Sequence, residues 1–232
     1  MAEVQIDVAP DADTAGRRAA GYIAGVLRAA LAARGGATLA LSGGSSPAPL
    51  YAALAREALD WPRVHVFQVD ERLVPREDPA RNLTAIARCL VTGGPLPAEN
   101  LHAMPVEAED GCARQMRTLE ACAGRPPVLD VVQLGLGADG HTASLFPGDP
   151  ALGIRDRDLA LTAAHAGHRR MTLTLPAIDR ARAVVWFAPG AAKAAMIAAL
   201  AAGDPALPCG RVARDRARVF IDTAAAAALP AR

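Results

Sequence analysis

The amino-acid sequence predicts an α/β fold, with a mostly parallel, open, Rossmann-like sheet and helices on both faces in three layers. Short apolar runs of strand length alternate with longer segments that repeat apolar residues at helical spacing. Such alternation implies β-α-β crossovers, which produce parallel strands covered on both faces. Because 52% of the 232 residues are hydrophobic and no long polar linker divides the chain, we expect one domain over residues 1–232.

Eight short apolar runs are predicted to be strands. The run that ends at Gly135 has the strongest strand pattern. In chain order, the predicted strands are Val4–Val8, Thr38–Leu41, Val64–Val69, Val128–Leu134, Asp158–Thr162, Met171–Leu175, Ala183–Phe187 and Arg218–Ile221.

Six segments are predicted to be helices. The first, Ala12–Ala33, is separated from the next strand by Gly35-Gly36. The second has Pro47 in its first turn, where proline is tolerated. Its apolar stripe consists of Leu50, Leu54 and Ala58. The remaining helices are predicted at Leu83–Leu90, Glu107–Ala123, Ala191–Ala201 and, near the end of the chain, Ala224–Ala228.

Composition and charge exclude several classes of function. The formal net charge is +1, from 25 basic and 24 acidic residues. Proteins that bind nucleic acid carry a basic excess, so no nucleic-acid partner is expected. The first residues lack the pattern of a signal peptide, and Ala191–Ala202 is shorter than the roughly 20 apolar residues that span a bilayer. We therefore expect a cytoplasmic protein without a membrane partner.

Neither a metal site nor a disulfide is predicted from local spacing. The cysteines show no CxxC pattern and are expected to be reduced, and no HxxxH or HExxH sequence occurs. Of the histidines, His65 is expected to pack within a strand, and His102 lies in a Pro-rich connection. The four cysteines are Cys89, Cys112, Cys122 and Cys209.

Three unusual loops follow predicted strands, and ligands of open α/β sheets bind at the carboxyl ends of strands. The first loop begins Ser42-Gly43-Gly44-Ser45 and precedes a helix. Close backbone N–H groups, hydroxyl donors and the positive end of a helix suit an anion. The alternative is a tight turn with a serine cap and no ligand. The Gly-Lys-Ser/Thr element of a P-loop is missing, so no nucleoside triphosphate is expected.

The second loop contains three successive charged residues, Asp70, Glu71 and Arg72. Arg72 could clamp a phosphate or carboxylate through its planar guanidinium. The alternative is a solvated loop in which Asp70 or Glu71 pairs with a nearby arginine.

The third loop, Gly135–Gly148, contains the most informative histidine of the chain. Gly135, Gly137 and Gly140 satisfy a literal GxGxxG pattern, but Pro147 and Gly148 interrupt the helix that dinucleotide binding requires. His141 follows this glycine turn, and Asp139 lies two positions earlier. An imidazole beside a carboxylate can take a proton from water near neutral pH, which makes His141 a candidate general base.

With these loops, the chain resembles the 6-phosphogluconolactonase family, within a wider group that includes glucosamine-6-phosphate deaminases. After His141 the chain continues Thr142-Ala-Ser-Leu-Phe-Pro, which is similar to the lactonases and not to the deaminases. It departs from the family at Arg81, where serine is common, and at Ser46, where threonine is usual. The motifs that carry the resemblance are Leu41-Ser-Gly-Gly-Ser-Ser-Pro, Asp70-Glu-Arg-Leu-Val-Pro, Gly135–Gly148, Arg170-Met-Thr-Leu-Thr-Leu-Pro and Gly190-Ala-Ala-Lys-Ala.

The resemblance implies hydrolysis of 6-phosphogluconolactone, a small phosphorylated sugar lactone, with His141 and Asp139 as catalytic residues. It implies no metal and no organic cofactor, because a lactone is already an activated ester. Arg169 is an alternative to Arg170, although the motif register favours Arg170. A monomer or a small homo-oligomer is expected. The implied substrate- and phosphate-binding residues are Ser42, Gly43, Gly44, Ser45, Arg72, Asn82, Arg170 and Lys193, the last being the only lysine of the chain.

Three other functions remain open at this point. The first is a deaminase or isomerase acting on glucosamine-6-phosphate. The second is a non-catalytic sugar-phosphate sensor of the same fold, which would be expected to carry a DNA-binding extension. The third is a nicotinamide-binding oxidoreductase, which only the literal GxGxxG pattern supports. One architecture hosts many chemistries, so fold alone does not decide between them.

Overall fold

A computed structural model describes residues 3–230 of the chain. Within this range lie ten strands and six α-helices. The strands are β1 (Gln5–Ala9), β2 (Ala37–Leu41), β3 (Val64–Gln68), β4 (Asp70–Arg72), β5 (Leu101–His102), β6 (Val131–Leu134), β7 (Leu159–Leu161), β8 (Arg170–Leu173), β9 (Ala183–Phe187) and β10 (Ala217–Asp222). The helices are α1 (Ala12–Arg34), α2 (Ala48–Leu54), α3 (Asn82–Ala87), α4 (Gly111–Ala123), α5 (Leu175–Asp179) and α6 (Ala194–Ala202).

Seven strands form the main sheet in the order β1-β10-β9-β6-β2-β3-β5, and every neighbouring pair is parallel. The predicted fold class is therefore confirmed, and all eight predicted strands are present with shifts of a few residues at their ends. None of the helices in residues 3–230 combines the length and the apolarity needed to cross a bilayer.

Alternating residues of the central strands divide the hydrophobic core into two layers. In β9, Val184 and Trp186 belong to the core on one face of the sheet, and Val185 and Phe187 belong to the core on the other. This follows from the two-residue period of a strand. Helices α1 and α2 pack on the Val185 face, whereas α4, α5 and α6 pack on the Trp186 face. The result is the predicted three-layer arrangement.

The strand order reverses between β2 and β6. From β2 the chain proceeds outward through β3 to β5, whereas β6 lies on the other side of β2 and leads to β9 and β10. Ligands of open α/β sheets bind in the crevice at such a switch point, beyond the carboxyl ends of the strands. Here the two loops that leave the switch point begin at Ser42 and at Gly135.

Some predicted boundaries were wrong. The segment Asp70–Arg72 is not a solvated loop but a strand, which pairs antiparallel with β8 in a second sheet of order β4-β8-β7. The helix predicted from Glu107 begins only at Gly111, because residues 105–111 form successive turns. Helix α3 ends at Ala87 and continues as a wider π-type turn to Thr92.

The other differences concern short elements. The last predicted helix is a 3-10 turn, Ala225–Ala228, and a 3-10 turn at Ala191–Lys193 precedes α6. The sequence did not predict β5 or α5, which have two and five residues. Elements of this length carry too few residues for a periodic pattern to be recognised.

Candidate active site

A cavity of about 270 Å³ opens at the switch point of the main sheet. Its walls come from the loops after β2 and β6, from β4, from the amino end of α3, from β8, and from the segment after β9. The cavity therefore lies where the loops predicted to bind a ligand converge. Residues of all three loops line it, and so do Asn82, Arg170 and Lys193.

His141 lies at this cavity with one ring nitrogen already engaged. Its Nδ1 is 2.5 Å from Oδ1 of Asp139, and its backbone N–H donates to the same oxygen at 3.1 Å. A carboxylate accepts hydrogen bonds only, so the neutral imidazole must carry its proton on Nδ1. This leaves Nε2 as the nitrogen with a free lone pair. Asp139 does not line the cavity, and its contact with the site is the one it makes with His141.

The Asp139 carboxyl group is ionised beside the His141 ring. Partial burial by itself raises the pKa of Asp139, but the hydrogen bonds from the backbone and ring of His141 outweigh it and hold that pKa below its usual value. Asp139 is therefore ionised at neutral pH. A fixed negative charge at Nδ1 stabilises the imidazolium that forms when Nε2 takes a proton.

Gly137 allows the imidazole to occupy this position. A Cβ atom on Gly137 would lie 2.0 Å from His141 Nδ1 and 2.7 Å from Asp139 Oδ1, closer than any real contact. The Gly137 N–H donates to the His141 carbonyl at 2.8 Å, so the backbone of the turn folds directly around the histidine. The glycine turn therefore serves the close approach of a side chain and not of a pyrophosphate. The next helical residues after Gly140 are the 3-10 turn Pro150–Gly153, so no long helix begins at this glycine turn.

Replacement of Gly137 by alanine should lower kcat by about 100-fold, because a displacement of the imidazole near 1 Å is enough for such a loss. Steady-state kinetics and circular dichroism of Gly137→Ala would measure activity and folding separately. Gly25→Ala is a matched control, since a Cβ on Gly25 in α1 meets no atom within 4 Å. Wild-type activity in Gly137→Ala would show that the observed position of His141 is not the active one.

Phe146 closes one side of the histidine. Its buried ring lies 4.5 Å from the His141 ring between centroids, and the Arg170 guanidinium lies 5.0 Å from the Phe146 centroid. The exposed His165 ring stacks on Phe146 at 3.8 Å. An apolar ring in this position keeps one face of the imidazole away from water.

The first loop presents free backbone donors. Within the described part of the chain, the backbone N–H groups of residues 43–46 have no acceptor. Gly43 and Ser46 line the main cavity, whereas Gly44 and Ser45 line an adjoining cavity that shares Arg72 and Asn82. Consecutive N–H groups without acceptors form an anion-binding concavity.

The Ser42 hydroxyl has a different role from the donor expected of it. It donates to the Gln133 carbonyl at 3.1 Å and accepts from the Gly135 N–H at 3.1 Å. Its single proton is therefore already used within the protein. Ser42 lines the cavity, but its hydroxyl ties the β2 loop to the β6 loop across the switch point.

Three cations face the cavity. Arg72 and Arg170 lie directly opposite each other in the β4–β8 pair, and Lys193 approaches from the turn before α6. In residues 3–230, none of the three forms an ion pair with a carboxylate. Arg169, the alternative to Arg170, does not line the cavity, and its Nε donates to the Thr162 carbonyl at 3.4 Å.

The two arginines are partly unsatisfied. Arg72 donates to the Ala80 carbonyl, but its buried Nε has no partner among the described residues, and the same holds for Nε of Arg170. Burial and the charge of Arg72 lower the pKa of Arg170, although nearby acidic groups oppose this. Two adjacent guanidinium groups, one buried and one half-buried, repel each other unless an anion lies between them. The arrangement therefore favours a multiply charged anion such as a phosphate.

The carboxyl of Asp70 also lines the cavity and is buried. Burial raises its pKa, and the hydrogen bond from Ser144 Oγ, at 2.5 Å, and the charge of Arg72 counteract this only in part. Ser144 is itself fixed by a hydrogen bond of 3.1 Å from its N–H to Thr172. The cavity therefore contains three cations and one carboxyl with a raised pKa, so its charge is positive at neutral pH.

An ion pair between Glu71 and Arg81 accounts for the arginine at position 81, where serine is common in the family. Both side chains are almost completely buried and form an ion pair with a 3.2 Å separation. Glu71 also accepts the N–H groups of Asn82 and Leu83 at 2.8 and 2.9 Å, which caps the amino end of α3. One expectation from the sequence is that Asp70 or Glu71 pairs with a nearby arginine in a solvated loop. Glu71 does pair with an arginine, but the pair lies in the protein interior.

Asn82 is held against the first loop. Its amide donates to the Asp70 carbonyl at 3.0 Å, and a Cβ on Gly43 would lie 2.0 Å from its Cγ. Gly43 is therefore needed for the close approach of the Asn82 side chain. Through this contact Asn82 sets the distance between the first loop and β4.

Sequence reasoning missed three buried polar residues that support the site. Gln133 accepts the Ser42 N–H at 3.1 Å, Tyr51 donates to the Ser42 carbonyl, and Ser144 bonds to Asp70. A polar side chain in the strongest predicted strand was the available signal for Gln133, because a buried polar group needs a partner. No local pattern distinguishes Tyr51 or Ser144.

Comparison with known proteins identifies the family. A family model described as glucosamine-6-phosphate isomerases/6-phosphogluconolactonase matches residues 10–221. The chain belongs to this family. A 6-phosphogluconolactonase of Synechocystis sp. is 41% identical over 197 residues, which cover 82% of this chain and 81% of that protein.

Two further members extend the comparison to nearly the full length. A 6-phosphogluconolactonase of Mycobacterium tuberculosis is 36% identical over 97% of this chain and 98% of its own. The crystal structure of a 6-phosphogluconolactonase from Thermotoga maritima superposes with a TM-score of 0.82 at 26% identity, covering 94% of this chain and 98% of that one. The family resemblance inferred from the motifs is thereby confirmed.

Proposed function

We propose that this protein hydrolyses 6-phospho-D-glucono-1,5-lactone to 6-phosphogluconate, a step of the oxidative pentose phosphate pathway, within one α/β domain. The observation that carries the proposal is the pairing of His141 and Asp139 at a cavity that also holds three unpaired cations. The family includes 6-phosphogluconolactonases that align with almost the entire chain. A base for water and a binding place for phosphate are the two requirements of this reaction.

The phosphate of the substrate binds to Arg72, Arg170 and Lys193 and to the free N–H groups of residues 43–46. Guanidinium groups suit phosphate because their planar donors match its oxygens, and the two buried Nε atoms supply donors without partners. The charge of the phosphate also relieves the repulsion between the two arginines. Binding in this way presents the lactone ring to the loop that carries His141.

Nε2 of His141 then accepts a proton from a water molecule as the water oxygen attacks the lactone carbonyl carbon. Asp139 fixes the tautomer and stabilises the imidazolium. The resulting oxyanion is stabilised by the positive charge and backbone donors of the cavity. When the tetrahedral intermediate collapses, the carbon–oxygen bond of the ring breaks, and the imidazolium gives its proton to the departing ring oxygen. The reaction needs no metal or organic cofactor, because a lactone is an activated ester.

The test is a coupled assay in which the 6-phosphogluconate formed is oxidised by its dehydrogenase, with and without the protein. The spontaneous hydrolysis rate must be subtracted, since these lactones open without a catalyst. No acceleration above the spontaneous rate would refute the proposal.

Two alternative functions have their own tests. Release of ammonia from glucosamine-6-phosphate would instead establish the deaminase alternative, although the sequence Thr142–Pro147 is similar to the lactonases and not to the deaminases. Binding of NAD(P) in a titration would revive the oxidoreductase alternative.

Replacement of Lys193 by alanine should raise KM by about tenfold, the effect of losing one hydrogen bond to a charged group, while kcat changes little. Lys193 lines the cavity from the turn before α6 and is assigned to the phosphate, so its loss should affect binding more than chemistry. Lys193→Arg keeps the charge and should restore most of the affinity. An unchanged KM in Lys193→Ala would remove this residue from the phosphate site.

The remaining expectations are part of the same proposal. The described cysteines are all free thiols, as expected for a reducing compartment such as the cytoplasm. The partner is a small phosphorylated lactone, without nucleic acid or membrane, and the protein acts as a monomer or small homo-oligomer.

A further inference from the structure

Two histidines and a cysteine that the proposed reaction does not use converge on one side of the main sheet. His65 lies near the start of β3, His102 ends β5, and Cys122 lies in the last turn of α4. His65 Nδ1 is 3.0 Å from His102 Nε2, and Cys122 Sγ is 3.9 Å from the same nitrogen. One donor atom from each residue lies within 4.8 Å of the others. All three residues are half-buried, and none lines the cavity that contains His141.

We propose that His65, His102 and Cys122 form a binding site for a single Zn²⁺ ion. Imidazole nitrogen and thiolate sulfur are the preferred zinc ligands in proteins, with bonds of about 2.0–2.1 Å and 2.3 Å. In a tetrahedral site these bond lengths place two nitrogens about 3.3 Å apart and a nitrogen and a sulfur about 3.6 Å apart. The observed 3.0 and 3.9 Å differ from these separations by a few tenths of an ångström.

A cavity beside the cluster can supply the fourth ligand of the ion. His65 and Cys122 also line a separate cavity of about 520 Å³, which provides an entry path and room for a water ligand. Three protein ligands and one water complete a tetrahedral shell. The acid nearest this cavity, Asp130, is already paired with Arg34 and Arg182, so it is not needed as a ligand.

Zinc binding requires two proton movements. The close nitrogens of His65 and His102 share one proton in the metal-free protein, and that proton moves to another ring nitrogen or to solvent when both nitrogens bind the ion. The Cys122 thiol releases its proton to solvent and binds as thiolate. The ion then links β3, β5 and α4, which should raise the Tm of the protein, because a ligand that binds only the folded state stabilises it.

Local spacing could not reveal this site. The histidines are separated by 37 positions and His102 and Cys122 by 20, so no short motif connects them. The sequence predicted no metal site, because only ligands at short, fixed spacings can be recognised as a metal motif. The parallel pairing of β3 with β5 brings the histidines together, and helix α4 supplies the thiol from the next layer.

The site can be tested on protein freed of metal with a chelator, using Zn²⁺ and its spectroscopic substitute Co²⁺. We expect one Zn²⁺ per chain in competition with a chromophoric chelator, and a thiolate-to-cobalt charge-transfer band with Co²⁺. Cys122→Ser and His65→Gln should each weaken zinc binding by more than about tenfold, and Cys122→Ser should abolish the band. Cys112→Ser is the matched control, since Cys112 is a half-buried cysteine of the same helix outside the cluster.

A second measurement needs no variant. Zn²⁺ should slow the alkylation of Cys122 by iodoacetamide and leave the alkylation rate of Cys112 unchanged. Mass spectrometry measures both rates. An unchanged rate at Cys122, or a cobalt band that persists in Cys122→Ser, would overturn the proposal. Zinc that binds the wild type and Cys122→Ser equally would place the ion elsewhere and overturn it as well.

Discussion

Replacement of His141 by alanine is expected to lower kcat by about 100- to 10,000-fold, the usual cost of removing a general base. Nε2 of His141 is the one ring nitrogen left free by Asp139, and no other imidazole borders the cavity in residues 3–230. KM should change much less, because the phosphate-binding cations are untouched. Coupled 6-phosphogluconolactone kinetics, corrected for spontaneous hydrolysis, would measure both constants.

His168→Ala provides the control for this experiment. His168 lies in the turn before β8 and outside the cavity, so its loss should leave kcat within about twofold, as for most surface changes. The fold of His141→Ala should remain intact, because the imidazole is partly exposed. Near-normal turnover in His141→Ala would exclude the mechanism proposed above.

Replacement of Arg170 by alanine is expected to lower kcat/KM by about 10- to 100-fold, the loss of a charge-assisted hydrogen bond worth about 1.5–3 kcal/mol. Arg170 is buried, faces the cavity, and carries a donor without a partner. Arg170→Lys should recover only part of the loss, since lysine keeps the charge but not the planar pair of donors. Arg169→Ala is the matched control, because Arg169 lies outside the cavity.

A substrate without phosphate separates binding from folding in this variant. If Arg170 binds the phosphate, Arg170→Ala should weaken the reaction with 6-phosphogluconolactone but leave the slow reaction with unphosphorylated gluconolactone unchanged. Equal losses with both substrates would mean that Arg170 supports the structure of β8 and does not recognise phosphate.

The parts of the site that could be predicted are those whose residues lie close together in the sequence. Asp139 and His141 are two positions apart in a glycine turn, and their interaction was inferred directly from the sequence. By contrast, Ser144 and Asp70 are 74 positions apart, and their hydrogen bond depends on how the third loop packs against β4. The burial of Arg81 was also not predictable, because it depends on the ion pair with Glu71. In the sequence, Arg81 is one of several charged residues with nothing to mark it as buried.

The α/β class, the central strands and the three loops that form the cavity could all be inferred from the amino-acid sequence. Hydrophobic periodicity and glycine turns depend on residues that are close in the chain, so they can be recognised from the sequence. The contacts between polar groups became visible only in the folded structure. It placed Arg72 opposite Arg170, used the Ser42 hydroxyl to tie β2 to β6, and brought His65, His102 and Cys122 together. These contacts depend on strand order and register, which long-range burial of the sheet imposes and no local pattern encodes.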